Sequence, residues 1–172
     1  MKILTLPLDK DTVKDLRAGD SVCLTGRILT ARDCAHKRLA QIMDEGGELP
    51  FALKDAVIYY AGPCPAKPNE VSGSCGPTTS ARMEGFAPRF LDCGLGAIIG
   101  KGEMNGEVRE ALKRNCAVYF AAVGGAGALY ADRIKRSELV AFPELLSEAV
   151  YRLEVENFPA VVALDCHGGS IY

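Results

Sequence analysis

Cys75-Gly76-Pro77-Thr78-Thr79-Ser80-Ala81-Arg82-Met83 concentrates more chemistry than any other stretch of the chain. Gly76 and Pro77 set a tight turn, and proline is favoured just inside a helix start. Thr78, Thr79 and Ser80 offer hydroxyls for the first turn, whose amides and dipole together make a seat for an anion. Arg82 follows Thr78 by four residues, so on a helix both project from one face. A hydroxyl, a guanidinium fork and open amides would then converge on a carboxylate or phosphate. An ordinary capped helix carrying a surface arginine fits the same letters.

Further cations stand where predicted elements meet. Ser21–Thr30 alternates apolar and polar residues as a half-buried strand does. From Ala31 the periodicity is helical, through Leu39, Ile42 and Met43, until Gly46-Gly47. Arg32 thus sits at a strand-to-helix junction, where α/β proteins collect ligand groups. Asp33 falls in the first turn, where its charge suits the dipole. His36, one turn on, either orients Arg32 or points into the same cleft, while Lys37 and Arg38 read as a solvated basic face. Lys101 lies between Gly100 and Gly102 after the short strand Ala97-Ile98-Ile99. It offers a compact point charge where the backbone can approach closely, or is simply a turn lysine. Gly124-Gly125-Ala126-Gly127 follows the strand-like Ala117–Val123 but lacks the G-x-G-x-x-G order. Tight packing or an anion seat shared with the other strand ends explains it better than a dinucleotide loop.

The remaining elements frame these residues. Residues 3–6 predict a strand, and Thr12–Leu16 a turn or short helix. Ala56–Ala61 predicts a buried strand, followed by a loop over 62–77 with four prolines and three glycines. The helix begun at Thr78 is expected to break or kink at Pro88 and end by Gly94. Asn105 caps a helix over Glu107–Asn115, and a short helix ends near Ile134. Two last strands are expected, Ala149–Val155 and Ala160–Leu164, separated by Phe158-Pro159, with Asp165 and a Gly-Gly turn after them. Strands alternating with helices, plus extra strands at both ends, predict a mixed-sheet α/β or α+β domain spanning 1–172.

Composition narrows the function. With 172 residues, 48% of them hydrophobic, the chain can bury a full core. A net charge of -2 gives no basic excess for a nucleic-acid surface. No apolar run approaches ~18 residues, and no signal-peptide pattern opens the chain, so neither membrane nor secretion is expected. The seven cysteines include no C-x-x-C pair, and neither His36 nor His167 completes a metal spacing. An odd number of thiols suits the reducing cytoplasm, and no metal site is expected on this chain.

Arg32, Arg82, Lys101 and the threonine hydroxyls together suit a small dianion, most simply a dicarboxylate. A nucleophile with its base is missing, so the constellation reads as half of an active site. Thr30-Ala31-Arg32-Asp33-x-Ala35-His36-Lys37-Arg38, Gly76–Met83, Gly100-Lys101-Gly102, Val123–Ala126 and Glu156-x-Phe158-Pro159-Ala160 resemble the beta subunit of class I iron–sulfur hydro-lyases. These are the two-subunit fumarases and L-tartrate dehydratases, and the resemblance covers nearly the whole chain.

The resemblance implies a swivelling β/β/α domain with a mixed central sheet and flanking helices. It also implies a partner alpha subunit that holds a 4Fe-4S cluster, in an α2β2 assembly, and a fumarate or tartrate substrate. Thr78 would then stand beside the carbon that loses a proton. Arg32, Arg82, Lys101 and Thr79 would bind the carboxylates, supported by Asp33, His36, Gly76, Gly124 and Gly125. The Asp165-Cys166-His167-Gly168 stretch departs from the expected family pattern.

Overall fold

The computed structural model describes residues 1–172. Its strands are β1 (Lys2–Thr5), β2 (Ser21–Thr30), β3 (Val57–Tyr59), β4 (Ala97–Gly100), β5 (Val118–Ala121), β6 (Ile134–Ala141) and β7 (Val150–Leu164). The helices are α1 (Lys10–Asp15), α2 (Asp33–Asp44), α3 (Ala87–Asp92), α4 (Gly106–Asn115) and α5 (Gly127–Asp132). The first five strands pair in parallel. β7 runs antiparallel to both β5 and β2, which closes β2-β3-β4-β5-β7 into a five-stranded barrel. The fold is therefore mixed α/β, with a central mixed sheet and flanking helices.

Strand alternation sorts the apolar side chains into two cores. Ile28, Val57, Tyr59, Ile99, Phe120 and Phe158 face inward, capped by residues from β1, α1 and α5. Leu29, Ile58, Tyr60, Ile98 and Tyr119 face outward beneath α2, α3 and α4. Burial on both faces explains why the central strands read as continuous apolar runs. No helix is long and apolar enough to cross a membrane.

Three expectations are corrected. The two strands expected near the end form one strand of 15 residues. Asn157 adopts a left-handed φ of 52° and the register slips between Leu24 and Gly26, so a bulge carries Pro159 through the sheet. β6 adds a strand to those the sequence predicts, because Lys135, Arg136 and Glu138 on its exposed edge hide the strand pattern. No helix runs from Thr78 to Gly94. A single 3₁₀ turn, Ser80–Met83, precedes a separate α3, and Pro88 occupies the first turn of α3, where its missing N–H is not needed.

Candidate active site

Because β2 to β5 are parallel, their carboxyl ends open on one side of the sheet, the usual place for ligands in such sheets. The chain leaves β2 into Arg32, β4 into Lys101 and β5 into Gly124-Gly125. Thr78 is tied to the end of β3, where its backbone N–H donates to the Tyr60 carbonyl at 2.8 Å.

Asp33 links the two arginines. Its Oδ2 lies 3.9 Å from Arg32 Nη2 and 3.9 Å from Arg82 Nη1. That range is too long for hydrogen bonds but holds two positive charges around one carboxylate. Arg82 is the more open of the two, with 57% of its side chain exposed against 28% for Arg32.

Lys101 is positioned by its backbone. Its N–H donates to Ser80 Oγ at 2.9 Å, and its carbonyl accepts from the Ser80 N–H at 2.9 Å. Tyr119 Oη lies 2.9 Å from Ser80 Oγ and donates to the Gly102 carbonyl at 2.7 Å. Thr79 bridges to Lys101 in parallel register. The lysine stem crosses Gly124, where a Cβ would stand 2.9 Å from Lys101 Cδ. Gly125 takes a left-handed φ of 78°, and the Gly76 backbone packs against Gly127. The structure thus links Arg32, Asp33 and Arg82 on one side, and Thr79, Lys101 and Gly124 on the other.

The anion seat expected over Thr78–Ser80 does not form. Thr79 is extended, with no side-chain cap, and the amides of Thr78 and Ser80 are both spent on sheet-like bonds to Tyr60 and Lys101. Local propensity for a helix start yields here to pairing with β4. Thr78 and Arg82 therefore do not share a helical face: Thr78 is held at the end of β3, and Arg82 lies by Asp33.

His36 points away from the cleft. It is fully buried, stacked on Phe90 at 5.2 Å and edge-on to Tyr60 at 5.3 Å. Its Nδ1–H donates to the Arg32 carbonyl at 2.8 Å, so it steadies the backbone that carries Arg32. Burial keeps the imidazole neutral, with its pKa lowered from 6.5 to about 4.

Glu148 reaches the site from a distant part of the chain. Its Oε1 faces Arg32 Nε at 3.8 Å, and its Oε2 accepts from Cys34 Sγ at 3.4 Å. Because 114 residues separate Cys34 from Glu148, no local pattern announces the contact.

All seven cysteines are free, and no three His, Cys, Asp or Glu side chains come together as a metal site. Burial pushes the Cys75 thiol up to about 12, and the Glu148 carboxylate raises that of Cys34. A cluster held on three cysteines needs three thiols side by side, and this chain brings no three together. Asp165 and His167 are structural. The Asp165 carboxylate accepts amides of Ala18, His167 and Gly169 at 2.8 to 2.9 Å, and His167 Nε2 binds the Lys14 carbonyl.

The site is open. The two roomiest cavities, about 660 and 550 Å³, lie along Thr25–Arg27 with Glu154–Asn157 and under the Cys64–Ser74 loop. Neither is lined by Arg32, Thr78, Arg82 or Lys101. Chemically, Arg32, Arg82 and Lys101 give this surface cations of the kind that suit carboxylates.

The family model described as Fumarase C-terminus matches residues 2–172. A Methanocaldococcus jannaschii protein named "Putative L(+)-tartrate dehydratase subunit beta" is 45% identical over 96% of this chain and 88% of its own length. Fumarate hydratase 2 of Leishmania major is 39% identical over 98% of this chain, which spans 30% of that protein. The anaerobic class I fumarate hydratase of Escherichia coli is 40% identical over 87% of this chain, which spans 28% of it. The chain therefore matches most of the first relative and less than a third of the two fumarate hydratases, at 30% and 28%. Matched from residue 2 to residue 172, the chain belongs to the Fumarase C-terminus family, whose members among these relatives are named as hydratases and a dehydratase.

Proposed function

We propose that this chain is the beta subunit of a class I iron–sulfur fumarate hydratase, interconverting fumarate and (S)-malate together with a cluster-bearing alpha subunit. The reading rests on Arg32 and Lys101 following the carboxyl ends of parallel strands, with Arg82 joined to Arg32 through Asp33. The 4Fe-4S cluster belongs to the partner in this reading. The assembly is α2β2 and cytoplasmic.

The steps left to this chain are electrostatic. Arg32, Arg82 and Lys101 hold the two carboxylates, with Thr79 at the rim. Removing a proton beside a carboxylate builds extra negative charge on that carboxylate, and preplaced cations stabilise the charge as it develops. Thr78 stands at the reacting carbon, and its hydroxyl requires a base, supplied as a carboxylate of the partner chain.

An anaerobic assay of the reconstituted complex tests the proposal, with malate and L-tartrate compared and this chain alone as control. Arg32→Ala or Lys101→Ala is expected to lower kcat/KM by about 10²- to 10³-fold, the usual loss of one charge-stabilising donor. Undiminished turnover in both variants would instead make the chain a non-catalytic anion-binding domain. L(+)-tartrate dehydration is the second reading, favoured by the 45% identity to a named beta subunit that the chain matches over 88% of its length. Preference for tartrate over malate would select it.

A further inference from the structure

Arg32 Nε and Glu148 Oε1 are both shielded from water and make no hydrogen bond, yet they face each other at 3.8 Å. A buried donor and a buried acceptor left unpaired are costly, and a closing movement of under about 1 Å turns this pair into a charge-assisted hydrogen bond. Glu148 ends a strap, Pro143–Glu148, that joins β6 to β7 and lies on α2. Cys34 and Arg38, one turn apart on α2, both hold it. Cys34 Sγ donates to Glu148 Oε2 at 3.4 Å, and Arg38 pairs with Glu144 at 2.7 Å and lies over the Phe142 ring at 5.7 Å.

The strap is strained in the conformation that delivers Glu148. Phe142 has φ 59° and Leu146 has φ 54° with ψ −117°, both unfavourable for residues with a side chain. A Cβ on Gly62 would meet the Ser147 carbonyl oxygen at 2.7 Å and Arg32 Cδ at 3.0 Å. Strap and arginine are thus packed against the same backbone at Gly62.

We infer that Glu148 is a positioning residue for Arg32: it holds the Nε side of the guanidinium and leaves the terminal nitrogens to the substrate carboxylate. A guanidinium is a rigid planar fork, so fixing one edge fixes the direction of the other. The terminal Nη2 then points toward Asp33 and Arg82, on the side where the second guanidinium lies. The kinetic consequence rests on the dicarboxylate reading of this site, whereas the placement of Arg32 does not.

Nitrogen-15 NMR of the arginine Nε–H groups in this chain tests the placement, with Arg32→Lys identifying the Arg32 signal. The Arg32 Nε–H is shielded from water beside Glu148, and its exchange is expected to quicken about tenfold or more in Glu148→Ala, which uncovers it. Glu148→Gln, which keeps an acceptor without the charge, should fall between Ala and wild type. Glu154→Gln, which removes a surface carboxylate paired with Arg27, should leave the signal unmoved. In the reconstituted complex, Glu148→Ala should raise KM for the dicarboxylate about tenfold with a smaller change in kcat, partly rescued by Gln. An Arg32 signal unchanged in both Glu148 variants overturns the inference whatever the enzyme does. A quickened signal in a chain whose wild-type complex ignores dicarboxylates upholds Glu148 as the holder of Arg32 and overturns the substrate reading.

Discussion

His36 shows how a residue can serve a site without entering it. Its ring is enclosed by Phe86, Phe90 and Tyr60, and Nε2 is buried without a partner. Desolvation of a protonated imidazole there outweighs the help from the Arg32 carbonyl and the Asp33 charge, so burial holds its pKa near 4 rather than 6.5. In the unfolded chain the ring protonates below pH 6.5, while in the folded chain it stays neutral until about pH 4. The stability His36 contributes is therefore complete above pH 6.5 and declines as pH falls toward 4, by on the order of 3 kcal/mol. Urea unfolding of wild type at pH 7 and pH 4.5 should show that decline, and His36→Leu should flatten it. An equally steep decline in the variant would place the effect on other groups.

At the level of elements, the ends of β4 and β5 set each other's geometry. Lys101 closes β4 by pairing with Thr79 and Ser80, and Gly124 leaves room for its stem beyond β5. A methyl group at 124 would stand 2.9 Å from Lys101 Cδ, and a flexible side chain yields before backbone does. Gly124→Ala should therefore change unfolding free energy by no more than about 0.5 kcal/mol. In the complex it should lower kcat/KM by about 10- to 100-fold, because the ammonium is displaced. A loss of stability matching the loss of activity would mean that Gly124 serves the fold rather than Lys101.

For the whole molecule, closure of the barrel decides that the strand ends form one surface. β7 bonds to β2 on one side and β5 on the other, and Phe158 at its bulge packs on Tyr130 at 4.5 Å and Tyr59 at 5.3 Å. Phe158→Ala should cost about 3–5 kcal/mol of stability, read by denaturant unfolding, because the closed barrel cannot collapse onto the void. A cost below about 1 kcal/mol would mean that the inner core relaxes freely. The barrel leaves Arg32, Arg82 and Lys101 on an open face, while the roomiest cavities lie elsewhere.

Much was legible in the residues themselves. β2 spans Ser21–Thr30 as its alternation predicts, and Asn105 caps α4 by accepting the Val108 N–H. The cations Arg32, Arg82 and Lys101 stand out by type and by their glycine, threonine and strand-end contexts. Periodicity, caps and motif spacing are local properties, so a linear reading reaches them. The tertiary structure alone decided the rest. It spent the Thr78 and Ser80 amides on Tyr60 and Lys101, turned His36 into the core, ran β7 through Pro159, and brought Glu148 to Arg32. Each of these depends on which distant backbone or side chain satisfies a buried polar group, and that choice is made only when the barrel closes.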